Sequence, residues 1–260
     1  MTSTSVRRHK ATGLVVLLAA LVMTGVGYAA VTDSAEAAPQ AASQTQVDQG
    51  RQLFLEGCAT CHGLAAQGTG SGPGLIGVGA AAVDFQVSTG RMPLAAPVVQ
   101  APRKTPVYSP DQVAALAAYV ASLGAGPAIP TATELDTTDA NLAEGGLLFR
   151  TNCQQCHNFS GQGGALSDGK YAPSLMKATP QEIYEAMLTG PQNMPNFTNA
   201  TLPVASKQAI LKYIANLQAA QAPGGLALGS YGPVTEGVFI WTAGIGALLL
   251  AAVWIGAKVR

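Results

Sequence analysis

The chain is poor in charge. Lys, Arg, Asp and Glu make up only 11% of its 260 residues, against about 25% in an average globular protein. Disorder needs high charge and low hydrophobicity, so this composition, with 48% hydrophobic residues, excludes it. The 14 basic and 14 acidic residues cancel. A nucleic-acid binder carries a basic excess, so no nucleic-acid partner is expected. A convincing alternating strand pattern is also lacking. Cysteine and histidine are scarcer still, with four Cys and three His in the whole chain. All four cysteines fall in two short clusters with a His beside each, and the third His, His9, lies in a basic N-terminal tip.

Charge is absent altogether from two stretches. Residues 11–31 are uncharged and follow Arg7, Arg8 and Lys10. Residues 237–257 are uncharged, carry Trp241 and Trp254 near their ends, and precede Lys258 and Arg260. About 20 apolar residues suffice for a helix to cross a bilayer, and indole rings favour the membrane interface. Both basic flanks lie at the chain ends, so the positive-inside rule predicts cytoplasmic termini and an exported middle. The second stretch reads as a transmembrane helix. The first reads either as a retained anchor or as a signal segment cleaved near Ala35-Glu36-Ala37. Between residues 45 and 220 stand nine basic and eleven acidic residues. That near balance offers no one-signed patch for steering a diffusing carrier, and it suits a protein fixed beside its partners in the lipid bilayer.

The exported region repeats itself. GRQLFLEGCATCHG at 50–63 matches GGLLFRTNCQQCHN at 145–158. Pro73-Gly74-Leu75 then matches Pro173-Ser174-Leu175, Thr89-Gly90 matches Thr189-Gly190, and Arg91-Met92-Pro93 parallels Asn193-Met194-Pro195. Ala118–Leu123 parallels Lys212–Leu217. Two copies are too few for a solenoid and predict tandem domains. Ser109-Pro110-Asp111 is a helix start. Val113, Leu116, Val120 and Leu123 give that helix one apolar face, as do Ile210, Leu211, Ile214 and Leu217 in the second copy. Gly50 and Gly145, in the opening helices, leave room for another helix to approach closely. The expected organisation is an N-terminal segment 1–36, domain one at 45–124, a linker at 125–138, domain two at 139–220, a second linker at 221–236 and the membrane helix at 237–257. The class is mostly α.

Cys58-Ala59-Thr60-Cys61-His62 and Cys153-Gln154-Gln155-Cys156-His157 are both Cys-x-x-Cys-His, the attachment signature of c-type haem. The two thiols form thioethers with the haem vinyls, and the adjacent imidazole binds the iron. A redox disulfide needs no following His, and the 95-residue separation exceeds zinc-ribbon spacing. Two structural disulfides are a further reading outside the cytoplasm. Two in-register matches that use every cysteine point to two covalently bound haem c groups. His62 and His157 are the expected proximal iron ligands. With no exported His to spare, the sixth ligand falls to methionine. Met92 is the first unit's sole candidate. Met194 holds the matching position in the second, where Met176 and Met187 read as core gap-fillers. A thioether ligand raises the potential and closes the site to oxygen.

Both halves resemble the cytochrome c family. That resemblance implies that Pro73 and Pro173 lie beside the proximal imidazoles, with the backbone preceding each proline helping to orient the ring, the alternative being ordinary loop prolines. It also implies that Tyr119 and Tyr213 pack where the terminal helix crosses the opening helix. Arg91 faces either a haem propionate or solvent. The whole arrangement, with the N-terminal segment, two CxxCH units and a C-terminal anchor preceded by Gly232-Pro233-Val234-Thr235-Glu236-Gly237, resembles the dihaem cytochrome c subunit of the actinobacterial cytochrome bcc complex. That family's complex is a menaquinol–cytochrome c reductase. The resemblance implies an electron-transfer subunit, with no catalysis by the isolated chain. Its electrons would come from a Rieske iron–sulfur protein, beside a cytochrome b subunit, and leave to a haem-copper terminal oxidase. An electron acceptor for a membrane dehydrogenase and a haem-based sensor are the other classes the residues allow.

Overall fold

Side-chain caps written in the sequence set the starts of five helices in the computed structural model, which describes residues 10–32, 42–96, 98–220 and 228–258. The chain divides into residues 1–41 and 42–260. The first unit contributes helix α1 (Lys10–Thr32). Arg7, Arg8, His9, the Ala35–Ala37 site and Arg260 lie outside the described residues.

In the second unit, Ser43 caps α2 (Gln44–Gly57) by accepting from the Gln46 amide. The short turn α3 (Ala59–His62) follows at once, and then α4 (Ala80–Ser88). The expected start at Ser109 holds. Its hydroxyl and the Gln112 side chain form a reciprocal cap on α5 (Pro110–Ser122). That helix buries Val113, Leu116 and Val120 as its spacing requires. The 125–138 stretch is more ordered than a linker reading implies. It carries α6 (Ala132–Leu135), capped by Thr131 and Glu134.

The second copy repeats the pattern with α7 (Leu142–Asn152), α8 (Gln154–His157), α9 (Pro180–Thr189) and α10 (Val204–Ala219). One ladder too short to show alternation, β1 (Gly164–Ala165) with β2 (Tyr171–Ala172), interrupts it. Helix α11 (Pro233–Lys258) closes the described chain. Among the described residues it is the one helix long and apolar enough to cross a membrane. Trp241 and Trp254 are exposed on it, and the Lys258 ammonium lies 4.7 Å from the Trp254 ring centre.

Two hydrophobic clusters hold the repeats. Phe54, Leu116, Tyr119 and Val120 centre the first, and Phe149, Tyr184, Ile210 and Ile214 the second. In each, the opening and closing helices touch at a glycine. A Cβ on Gly50 would strike the Ala115 carbonyl, and one on Gly145 the Ala209 carbonyl. Tyr119 and Tyr213 pack beside those crossings, with ring centres 5.3 Å from Phe54 and from Phe149 respectively. Tilted rings at this distance add to the apolar burial that stabilises the contact.

The two repeats also meet directly. Arg103 donates two hydrogen bonds to Glu182, at 2.8 and 2.7 Å. The Gln100 side chain pairs with the backbone of Tyr171, donating to its carbonyl at 2.7 Å and accepting from its amide at 2.8 Å. Gln181 donates to Asp84 at 2.9 Å and to Glu185 at 3.1 Å. Charged hydrogen bonds and a borrowed strand edge fix the second repeat against the loop after α4.

Candidate functional site

Each Cys-x-x-Cys-His segment is a single turn hung on the end of an opening helix. The Cys58 amide still donates to Phe54, at 2.8 Å, and the Cys58 carbonyl accepts from Cys61 and His62 at 3.1 and 3.0 Å. The second copy is the same: Cys153 donates to Phe149 at 2.8 Å and accepts from Cys156 and His157 at 3.2 and 2.9 Å. Residues three apart in such a turn share a face, so both thiols project the same way. All four are free of disulfides, so the structural-disulfide reading finds no support in the geometry. Cys58 and Cys153 are half-buried, while Cys61 and Cys156 are exposed. Burial, with a contribution from Cys156, pushes the Cys153 thiol up to about 11. Burial and then Cys61 raise Cys58 in the same direction. Redox-active CxxC pairs depend on a lowered thiol pKa, so these environments oppose disulfide exchange. Among the described residues no three His, Cys, Asp or Glu side chains converge as a metal cluster would need.

The prolines lie beside the imidazoles as the resemblance implied, but the groups that meet the rings are the prolines' own carbonyls, not the backbone before them. His62 Nδ1 lies 2.7 Å from the Pro73 oxygen, and His157 Nδ1 lies 2.9 Å from the Pro173 oxygen. A carbonyl only accepts, so Nδ1 must carry the proton in each ring. The Nε2 lone pair is thereby left for a metal. A backbone acceptor on the far nitrogen is the usual means of orienting a ligating histidine. The sequence separations differ, 11 residues in one copy and 16 in the other. The β1–β2 ladder lies within the longer segment. Burial lowers the His157 pKa, partly offset by the Pro173 bond, which favours the neutral ring that can ligate.

An open cleft lies against the second copy, about 1340 Å³ with the solvent at its mouth included. Cys153, Cys156, His157 and Met194 all line it, so the structure brings that expected set together. Leu175, Ile183, Ile210 and Ile214 make its wall apolar. Mostly apolar and lined by one imidazole and by the thioethers of Met187 and Met194, the space has the chemistry a haem requires. Gly190 ends α9 in the left-handed conformation and starts the Met194 loop. A Cβ there would meet the Met194 oxygen at 2.8 Å. Met187 lines the cleft as well, but at 2% exposure it is packed into the cluster around Tyr184. Met176 sits against Gly161. In the first copy, Cys58, Leu75 and Met92 pack against the Phe54–Leu116 cluster, and the Met92 amide donates to Gln86 at 2.9 Å.

Sequence reasoning missed one wall. Phe85, Arg91, Gln100, Ala101 and Arg103, all from the first repeat, line the second repeat's cleft. Their distance along the chain from Cys153 hides this from any motif. Arg91, left open between propionate and solvent, is buried at 8% exposure and is not a solvent-facing residue.

The comparisons with known proteins agree with this geometry. Residues 47–124 match the family model for cytochrome c, and residues 140–214 match that for cytochrome c oxidase, cbb3-type, subunit III. Two cytochrome c domains indicate haem c as the cofactor. The cytochrome bc1 complex cytochrome c subunit of Corynebacterium diphtheriae is 46% identical, over 96% of this chain and 95% of its own. That of Mycobacterium tuberculosis is 46% identical over 96% and 92%. That of Mycobacterium leprae is 42% identical over 95% and 87%. Similarity this high along nearly the whole of each chain means that the protein belongs to the family of cytochrome bc1 complex cytochrome c subunits.

Proposed function

We propose that the chain is the dihaem electron-transfer subunit of a membrane-bound menaquinol–cytochrome c reductase. It receives electrons from a Rieske iron–sulfur protein that works with a cytochrome b subunit, and passes them to a haem-copper terminal oxidase. Cys58 and Cys61 hold one haem c, with His62 and Met92 on its iron. Cys153 and Cys156 hold the other, with His157 and Met194. Bound haem c supplies a one-electron iron couple, tuned to high potential by the thioether.

The observation that carries this reading is the repeated histidine bond to a proline carbonyl. Twice, a thiol-bearing turn presents an imidazole whose Nδ1 is committed and whose Nε2 is free. The protein's own work is then positional: it fixes the rings, encloses the second site in apolar walls and excludes water. Helix α11 crosses the cell membrane with Lys258 on the cytoplasmic side, which sets both domains outside. Retention of α1 would give two crossings and cytoplasmic termini.

Detergent extraction of the tagged chain tests the assignment. Cytochrome b, a Rieske protein and a haem-copper oxidase should accompany it, and added menaquinol should reduce its haems. Recovery with a dehydrogenase in their place would assign it to the other class of electron acceptor.

A further inference from the structure

Arg91 presents a buried charge that its own surroundings leave unmatched. It is 8% exposed, and its Nη1 has no hydrogen-bond partner. The guanidinium stacks over Phe85, 4.7 Å from the ring centre. The other charged side chains that line the cleft are already committed: Arg103 and Glu182 to each other through two hydrogen bonds, and Lys170 to Asn193 at 3.0 Å. An unpaired buried cation is strongly destabilising, so the site calls for an anion. Arg91 lines the cleft of Cys153, His157 and Met194, which belongs to the other repeat.

We propose that Arg91 of the first domain is a carboxylate-binding residue of the second domain's haem site, pairing with a propionate of the haem held there. The proposal rests on the His157 and Met194 assignment. Haem c carries its two carboxylates on the edge opposite its vinyl groups. With the vinyl edge fixed at Cys153 and Cys156, the acidic edge is left for another wall, and the first domain supplies a free guanidinium to the cleft. Such a fork matches a carboxylate with two parallel hydrogen bonds. The loop after α4 thereby serves both centres, Met92 toward its own core and Arg91 toward its neighbour. Domain one completes the cofactor site of domain two.

The test uses the full chain in detergent. Met92→His and Met194→His, each made alone, assign the two waves of a redox titration to their haems. Arg91→Gln and Arg91→Met, the latter keeping an apolar stem over Phe85, are then titrated at equal covalent haem content. A cation beside a haem favours its reduced form, so both variants should shift the second haem's wave to lower potential. Arg91→Lys should restore most of that shift. An unmoved second wave overturns the proposal, as does a shift confined to the first. If Met194→His moves neither wave, the ligand assignment itself fails, and that outcome is read independently of Arg91.

Discussion

Glu185 is a glutamate with no exposed surface, at the face where α9 meets α4. Its Oε2 has no donor facing it, and Gln181 donates to its Oε1 at 3.1 Å. Burial, then the neighbouring Asp84 carboxylate, raise its pKa to about 9, so the folded protein keeps it protonated at neutral pH. The unfolded chain releases that proton near the ordinary glutamate value. Between about pH 4.5 and about pH 9 the native state therefore binds more protons, and stability falls as pH rises through that window. About 2.5 pH units separate the lower limit from neutrality, each worth about 1.4 kcal/mol, so the ceiling at pH 7 is about 3 kcal/mol. Glu185→Gln keeps the shape and a donor toward Asp84 but has no proton to lose. Its advantage should be near zero at about pH 4.5 and grow to about 1–3 kcal/mol at about pH 8. Denaturant midpoints of the haem-loaded chain, followed by far-UV circular dichroism across that range, give the difference directly. Parallel curves for the two proteins would refute the buried neutral carboxyl.

Three further outcomes follow from the same geometry. Met194→Leu should leave haem attached yet lower the potential of one centre, whereas Met187→Leu, in the core cluster, should leave both potentials in place; spectroelectrochemistry separates them. Met92→Leu should lower the other centre's potential and slow quinol-to-oxidase electron flow in the intact complex. Gly145→Ala drives a methyl into the Ala209 carbonyl. Overpacking of about 1–3 kcal/mol should outweigh the helix-propensity gain of about 1 kcal/mol and lower the melting temperature. Gly146→Ala meets only movable side-chain atoms, the Tyr213 ring and the tip of Arg150, and should lose less.

What the sequence disclosed was whatever is local or repeated. The cap at Ser109, the apolar faces of α5 and α10, the crossings at Gly50 and Gly145 and both CxxCH turns all depend on residues a few positions apart or on a second copy that confirms the first. The β1–β2 ladder escaped notice because two residues per strand show no period. The contents of 125–138 escaped because Gly and Pro read as slack, whereas the Ala81 amide donates to Pro127 at 3.1 Å and Gln208 donates to Thr133 at 2.8 Å. Buried charges were invisible for a different reason. Lys207 is fully enclosed, donating to Asn199 and to the Leu202 carbonyl at 2.8 and 2.6 Å, and nothing in its sequence neighbourhood distinguishes it from a surface lysine. Arg91 is the same case with consequences for function, because its neighbour in space is the other repeat.

The most direct measurement is the covalent haem count of the mature full chain, by intact mass together with a pyridine haemochrome assay. Two groups per chain are expected, each lost singly when Cys58 and Cys61, or Cys153 and Cys156, are replaced by alanine. The reduced native protein should not take up carbon monoxide. One group, or none, or ready carbon monoxide binding at both irons, would contradict a pair of histidine–methionine haems.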